Sequence, residues 1–265
     1  MMNLKSNITT LHLGLKKQVR ILQLSDVHIA LADDIDGEEM IARSARQRRI
    51  FFEEAGHPER DPIGYLQEAM EYARSFDCTV ITGDVLDFNS HANRETVKKI
   101  LAGKDYMFCA GNHEFCPRPG IDSFEIKAAA MDEVQDVFRG NMVFESRIVG
   151  GVNIIAIDNS YYVWTDEQFK KLKAEVERGY PCLLFCHSPL TCGNMQHNPT
   201  HSILTVSEDV IGFTRKVTDY IVNEPAIKAV FSGHYHNNGT EQLGEKKGYI
   251  LGGLFQGIVG EIIVN

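Results

Sequence analysis

The sequence predicts an α/β fold, and three observations lead there. Short apolar runs of strand length alternate with segments whose apolar residues recur at helical spacing. The apolar runs stop repeatedly at turns carrying Asp, Asn or His, the pattern of sites built at the carboxyl ends of strands in open α/β architectures. A chain of 265 residues with 43% hydrophobic and 24% charged content can also bury a sizeable core.

Taken in order, residues 8–15 alternate enough for a first strand, and residues 19–24 form a second that stops at Ser25-Asp26-Val27-His28. Extended backbone has a period of 2, so Asp26 and His28 are expected on one side of it. Residues 29–61 are polar and charge-rich. A helix over 38–54, acidic at its start and basic in its middle, fits a solvated face better than a binding patch. Asp61-Pro62 forms an N-cap and first-turn pair, and Ile63, Leu66, Met70 and Ala73 then predict a helix packed on a sheet. Residues 78–81 read as a strand ending in Thr82-Gly83-Asp84. A helix over 92–102 leads to a strand over 106–110, which ends in Gly111-Asn112-His113-Glu114.

The turn residues Cys116, Pro117, Pro119 and Gly120 precede a helix over 122–136. Strands over 142–149 and 152–158 flank the hairpin signal Gly150-Gly151. Thr165 and Gln168 have the spacing of a capping box and open a helix that ends near Gly179. A buried strand over 182–186 ends at His187. Residues 191–205 form a polar loop containing His197 and His201, long enough without an element of its own to suggest a function. A helix over 207–222 and a strand over 228–231 follow, and the strand ends in Ser232-Gly233-His234-Tyr235-His236. One domain over residues 1–265 is the economical reading, with cap or lid insertions expected near 29–61 and 191–205.

Charge and composition exclude some functions. A formal net charge of −9 and a pI near 5.6 disfavour nonspecific nucleic-acid binding, which needs a basic face. A small anionic substrate stays open, because bound cations reverse the local field. The first fourteen residues carry no secretory apolar segment, and no apolar run is long enough to span a membrane. The six cysteines (78, 109, 116, 182, 186 and 192) form no Cys-x-x-Cys pair and read as reduced thiols. The expectation is a cytoplasmic protein without a membrane partner, its oligomeric state left open.

The polar strand ends form a set: Asp26 and His28, Asp84, Asn112 and His113, His187, then His234 and His236. A single strand-terminal histidine is more often structural than a ligand. Five such turns in one chain, all of divalent-metal ligand types, point to a metal site.

In this pattern the chain resembles the calcineurin-like metallophosphoesterases, whose blocks Asp-x-His, Gly-Asp, Gly-Asn-His-Asp/Glu, a lone His and Gly-His-x-His all occur here in order. The resemblance implies a two-sheet β-sandwich flanked by helices, in four α/β/β/α layers. It assigns Asp26, His28 and His236 to one metal ion and Asn112, His187 and His234 to a second, with Asp84 bridging both. Two cations about 3.5–4 Å apart clamp a phosphoryl group and share a deprotonated water, the expected nucleophile. The mixed ligands suit Mn, Fe, Zn, Ni or Co and not Ca.

The resemblance also makes His113 a non-ligand beside the substrate, where it donates a proton to the leaving oxygen or stabilises the transferring phosphoryl, with Asp84 as the other catalytic residue. Asp87 and Glu114 are candidates for orienting imidazoles. The tyrosine ligand that purple acid phosphatases carry three residues after the bridging aspartate is replaced by Asp87. The intact blocks look most like the cyclic-nucleotide and glycerophosphodiester phosphodiesterase branch, which implies a small phosphodiester substrate. A phosphomonoesterase and a non-catalytic metal-binding scaffold are the alternatives. For His197 and His201 two readings stay open: one of them touches the substrate phosphate or its leaving group, or both are exposed turn histidines.

Overall fold

The computed structural model describes residues 4–117, 123–193 and 207–265. Two sheets organise the chain. The first has the order β1 (Lys5–Leu11), β11 (Ile258–Val264), β2 (Val19–Leu24), β3 (Cys78–Ile81), β4 (Met107–Phe108). The second has the order β5 (Phe144–Val149), β6 (Val152–Ile157), β7 (Cys182–Phe185), β8 (Ile227–Ser232), β10 (Lys246–Ile250), β9 (Gly239–Leu243). Parallel pairings β2·β3, β3·β4, β6·β7 and β7·β8 align the carboxyl ends that bear the polar turns.

Among the described residues six α-helices lie between the strands: α1 (Glu38–Arg48), α2 (Pro62–Tyr72), α3 (His91–Leu101), α4 (Phe124–Gln135), α5 (Asp166–Val176) and α6 (Glu208–Asn223). Their starts follow the expected cap chemistry. Asp61 accepts from Gly64 N, Ser90 from Asn93 N and Ser123 from Ile126 N, while Thr165 and Gln168 close the capping box.

The four layers follow from how the strands divide their side chains. Alternate residues of a strand point to opposite faces. In β2, Val19 and Ile21 enter the layer between the sheets, where they meet Val80, Ile154, Phe185 and Phe231. Leu22 and Leu24 point the other way and pack with Leu66, Val97 and Val134 of α2, α3 and α4. In β7, Leu183 and Phe185 face the inter-sheet layer, whereas Leu184 packs with Phe169 and Leu172 of α5 and Val217 and Ile221 of α6. Strands covered on both faces have no solvent side, which is why they read as continuous apolar runs.

Two strands differ from expectation. The first spans Lys5–Leu11 and not 8–15, because Leu11 pairs with Val264 and the partner strand ends there. The fourth is reduced to Met107–Phe108, since only those residues pair with β3, although Cys109 and Ala110 remain buried. The expected helix over 38–54 is α1 followed by a π-helical turn at Arg49–Glu53. No described helix is long and apolar enough to cross a membrane.

Candidate metal centre

The expected strand-end residues converge where the carboxyl ends of the two sheets meet. Three groups gather there, each with ligand-type atoms within 4.8 Å of one another: Asp26, His28 and His236; Asp84, His187 and His234; and His28, Asp87 and His113. The first two are made of expected ligands only. Asp84 reaches both, with Oδ2 3.1 Å from His187 Nε2 and 3.8 Å from His28 Nε2. Asn112 lies in the turn after β4, buried, and its Oδ1 has no hydrogen-bond partner among the described residues. An amide oxygen left that way is costly unless something else binds it.

The backbone explains how the turns do this. Six described non-glycine residues have positive φ: Asp26, His28, Asp84, Tyr162, His234 and His236. Five are expected ligands and the sixth touches one. The left-handed region costs roughly 1–3 kcal/mol per non-glycine residue and gathers at functional sites. This corrects the expected geometry of Asp-x-His. Extended backbone ends at Leu24, and Asp26 and His28 share a side because both are left-handed, at φ 53° and 52°. Gly111 and Gly233 serve close approach: a Cβ on the first would overlap Asp84 Oδ1, and on the second Ser25 Oγ and Asp26 Oδ2.

Hydrogen bonds hold the turns to each other. Val27 N and His28 N donate to the Asp84 carbonyl at 2.8 and 3.0 Å, and His113 N donates to Asp84 Oδ1 at 2.9 Å. Glu114, expected to orient an imidazole, instead accepts from the amides of Gly111, Asp84, Val85 and Leu86. Its carboxylate therefore welds the Gly-Asp turn to the Gly-Asn-His turn. Asp87 does orient an imidazole, with Oδ1 2.9 Å from His28 Nδ1.

These contacts set which ring nitrogen faces the centre. His28 Nδ1–H donates to Asp87, which leaves Nε2 directed at His236 Nε2, 2.9 Å away. His187 Nδ1–H donates to the Thr82 carbonyl at 2.8 Å, so its Nε2 meets Asp84 and, at 3.1 Å, His234 Nδ1. His113 Nδ1 lies 2.7 Å from the Asp87 carbonyl, and its ring stands edge-on to His28 at 4.8 Å between centroids.

Charge is concentrated in a dry place. Burial would raise the Asp26 carboxyl, but hydrogen bonds with His236 and His28 outweigh it and hold it well below the usual range. Asp84 is likewise lowered: burial opposes the shift, and the charges of His187 and His113 overcome it. His28 is raised well above its ordinary value, against burial, by Asp26 and Asp87. His187 is raised to about 9, against burial, by Asp84. Burial, then the Asp84 charge, pushes Glu114 up to about 7. A cluster that holds imidazolium protons against burial has the charge balance of a cation site.

The sequence reading missed Tyr162, whose hydroxyl lies 2.6 Å from His234 Nε2. The signal was available: β6 ends in Asp158-Asn159-Ser160, another polar strand end, and Asn159 bonds Ser188 beside His187 in both directions. Residues 29–61 were also more than a solvated face, since the Phe51 ring stacks on His28 at 6.1 Å. His197 and His201 lie outside the described residues, as does most of the loop 191–205.

Comparison with known proteins agrees with this geometry. The sequence profile described as Metallophos, calcineurin-like phosphoesterase, matches residues 19–238. A curated relative from Fibrobacter succinogenes, named as a probable cyclic nucleotide phosphodiesterase, is 24% identical over 239 residues, covering 89% of this chain and 79% of its own. Among solved structures, a purple acid phosphatase from yellow lupin (Lupinus luteus) seeds aligns with a TM-score of 0.57 at 13% identity. That alignment covers 89% of this chain but only 44% of the lupin protein, and it speaks for the fold alone.

Proposed function

The chain belongs to the calcineurin-like phosphoesterase family, metal-dependent hydrolases of phosphoesters, and from that premise we propose that it cleaves a small phosphodiester at a two-metal centre. The observation that carries the proposal is the placement of Asp84, one carboxylate in contact with both groups of ligands. The residues fit two divalent ions. Asp26, His28 and His236 would hold one, Asn112, His187 and His234 the other, with Asp84 shared. The orphaned Asn112 Oδ1 supports that division, because a neutral amide oxygen gains its missing partner there. Such ions supply Lewis acidity toward a phosphoryl group and activate water.

The chain's own groups do the rest. Asp87 and the Thr82 carbonyl fix His28 and His187 with Nε2 inward, and Tyr162 holds the far nitrogen of His234 so that Nδ1 faces the centre. His113 is anchored through Nδ1 to the Asp87 carbonyl, which leaves Nε2 to hold a proton for the departing alcohol. The phosphodiester preference draws on the relative named as a probable cyclic nucleotide phosphodiesterase. Mn, Fe and Zn suit the donor set. The test is a panel of phosphodiesters and phosphomonoesters assayed with Mn²⁺ after chelator treatment. Faster turnover of a diester, dependent on added metal, is expected. A monoester preference would overturn the substrate class.

A further inference from the structure

Beside the metal centre lies a cavity of about 100 Å³ whose wall includes His28, Leu31, Arg48, Phe52, Arg60 and Ile63. We propose that this cavity receives the alcohol that leaves in the reaction, and that this alcohol carries an anionic group of its own. The proposal rests on the phosphodiesterase reading above and names the substrate more closely.

Position is the first argument. His28 borders the cavity on one side and His113 stands edge-on to the same ring, 4.8 Å away. The His28 ring is thus shared between the wall of the cavity and the surroundings of His113, and the proposal puts the leaving group across that ring. In the reaction the oxygen of water bonds to phosphorus and the bond from phosphorus to the leaving oxygen breaks. The leaving oxygen takes the proton from His113, and the proton given up by water restores that histidine. The products are a phosphomonoester and a free alcohol, and the alcohol departs from the His113 side.

Charge is the second argument. The chain is acidic overall, with a formal net charge of −9, yet two arginines, the exposed Arg48 and the half-buried Arg60, line one small cavity. Neither Arg48 nor Arg60 forms an ion pair with a described carboxylate. Arg49 and Arg74 do, with Glu54 at 3.1 Å and Glu71 at 2.8 Å. Asp61 also lines the cavity, but its Oδ1 is engaged in capping α2 through Gly64 N at 3.1 Å. Arg60 lies over the Phe255 ring, 5.5 Å from its centroid, and that ring is 5.1 Å from His236. A guanidinium laid on an aromatic face keeps its edge donors for a carboxylate or phosphate. The side chains of Leu31, Phe52 and Ile63 offer an apolar wall to the carbon body of the same group.

The test compares methyl 4-nitrophenyl phosphate with methyl 3-carboxy-4-nitrophenyl phosphate, whose leaving phenol differs by one carboxylate. With the Mn²⁺-loaded wild type, the ratio of kcat/KM for the carboxylated over the plain ester is compared with the same ratio in variants. That comparison cancels the intrinsic reactivity of the two phenols. Arg48→Gln combined with Arg60→Gln should lower the ratio by about tenfold or more, the size of one charge-assisted hydrogen bond. Each single variant should lower it partially, and Arg60→Glu should lower it further than Arg60→Gln. The single variants keep the test decisive if the double variant does not fold. An unchanged ratio in variants that still turn over the plain ester would overturn the subsite alone. No turnover of either ester by the wild type would overturn the phosphodiesterase reading and the subsite with it.

Discussion

The two sheets contribute unlike chemistry to the centre between them. The five-stranded sheet brings Asp26, His28, Asp84, Asn112 and His113, including both carboxylates of the two ligand groups. The six-stranded sheet brings imidazoles, His187, His234 and His236. Neither set is complete: the first ligand group borrows His236, and the second borrows Asp84. The site therefore depends on the apolar layer between the sheets, where Val80 and Met107 pack with Phe185 and Phe231. The halves also differ in how they are held. The carboxylate half is knit by backbone bonds, four of them to Glu114. The imidazole half is aimed by side-chain contacts, such as Tyr162 on His234, and tied to the other half through His234 N, which donates to the Asp26 carboxylate.

The largest effect should come from removing the one group that belongs to both halves. Asp84→Ala should lower kcat/KM by on the order of 10³-fold or more, as the shared anion and several kcal/mol of transition-state stabilisation are lost together. Steady-state kinetics on the best diester of the panel measure it.

His113 belongs to the carboxylate half by position, yet it is expected to serve substrate and not metal. His113→Ala should lower kcat by about 10²–10⁴-fold while metal content stays at the wild-type level. The loss should be smaller for nitrophenyl than for alkyl esters, whose poorer leaving groups need the proton. Equal losses for both would remove the acid role.

Orienting contacts should matter less, and they let the halves be compared directly. Asp87→Asn weakens the support of His28, and Tyr162→Phe removes the hydroxyl that holds His234. Each should weaken metal binding by about 10–100-fold, with the Tyr162 effect at the lower end because it removes a neutral partner. Competition with a metal-sensitive dye measures both, and Asp87→Asn should spare the second ion. If each variant weakened both ions equally, the division between halves would be wrong.

The smallest effect concerns the metal-free protein. His28 and His187 are raised in the fold, so their stabilising contribution is full below about pH 6.5. It is lost as pH rises through the folded value, about 9 for His187. Asp26 and Asp84 are lowered, so their contribution is present above the ordinary aspartate value and lost as pH falls below it. Without metal, the melting temperature should therefore fall by several degrees between pH 6.5 and 9, at about 2–4 °C per kcal/mol. With Mn²⁺ the fall should shrink, since ions replace the displaced protons. A parallel decline with and without metal would contradict this.

Most of the site was legible because its residues stand at strand ends, where sequence marks them by an apolar run and a polar stop. Asp26, His28, Asp84, Asn112, His187, His234 and His236 were singled out that way; six of them stand in two clusters, and Asn112 lies buried in the turn after β4. The sequence misled where backbone conformation decides: nothing in Asp-x-His announces two left-handed residues, so extended geometry was expected. Tyr162 escaped because the polar end of β6, Asp158-Asn159-Ser160, belongs to none of the blocks of metal-ligand types, and a tyrosine that only supports His234 carries no such mark. The helix over 38–54 read as solvated, and α1 is mostly exposed; what composition does not show is that Phe51 and Phe52, in the turn after it, point toward the site. Helices were legible from periodicity and caps and the layers from the family resemblance, while the first and fourth strands were shortened by the reach of their partners.

If Asp84 joins the two halves into one two-ion centre, neither ion should be held without it. Elemental analysis of protein stripped with chelator, reloaded with Mn²⁺ and desalted tests it most directly. The wild type should carry two ions per chain, and Asp84→Ala should lose both at metal concentrations that saturate the wild type. Retention of two ions by Asp84→Ala, in protein with wild-type melting behaviour, would contradict the claim.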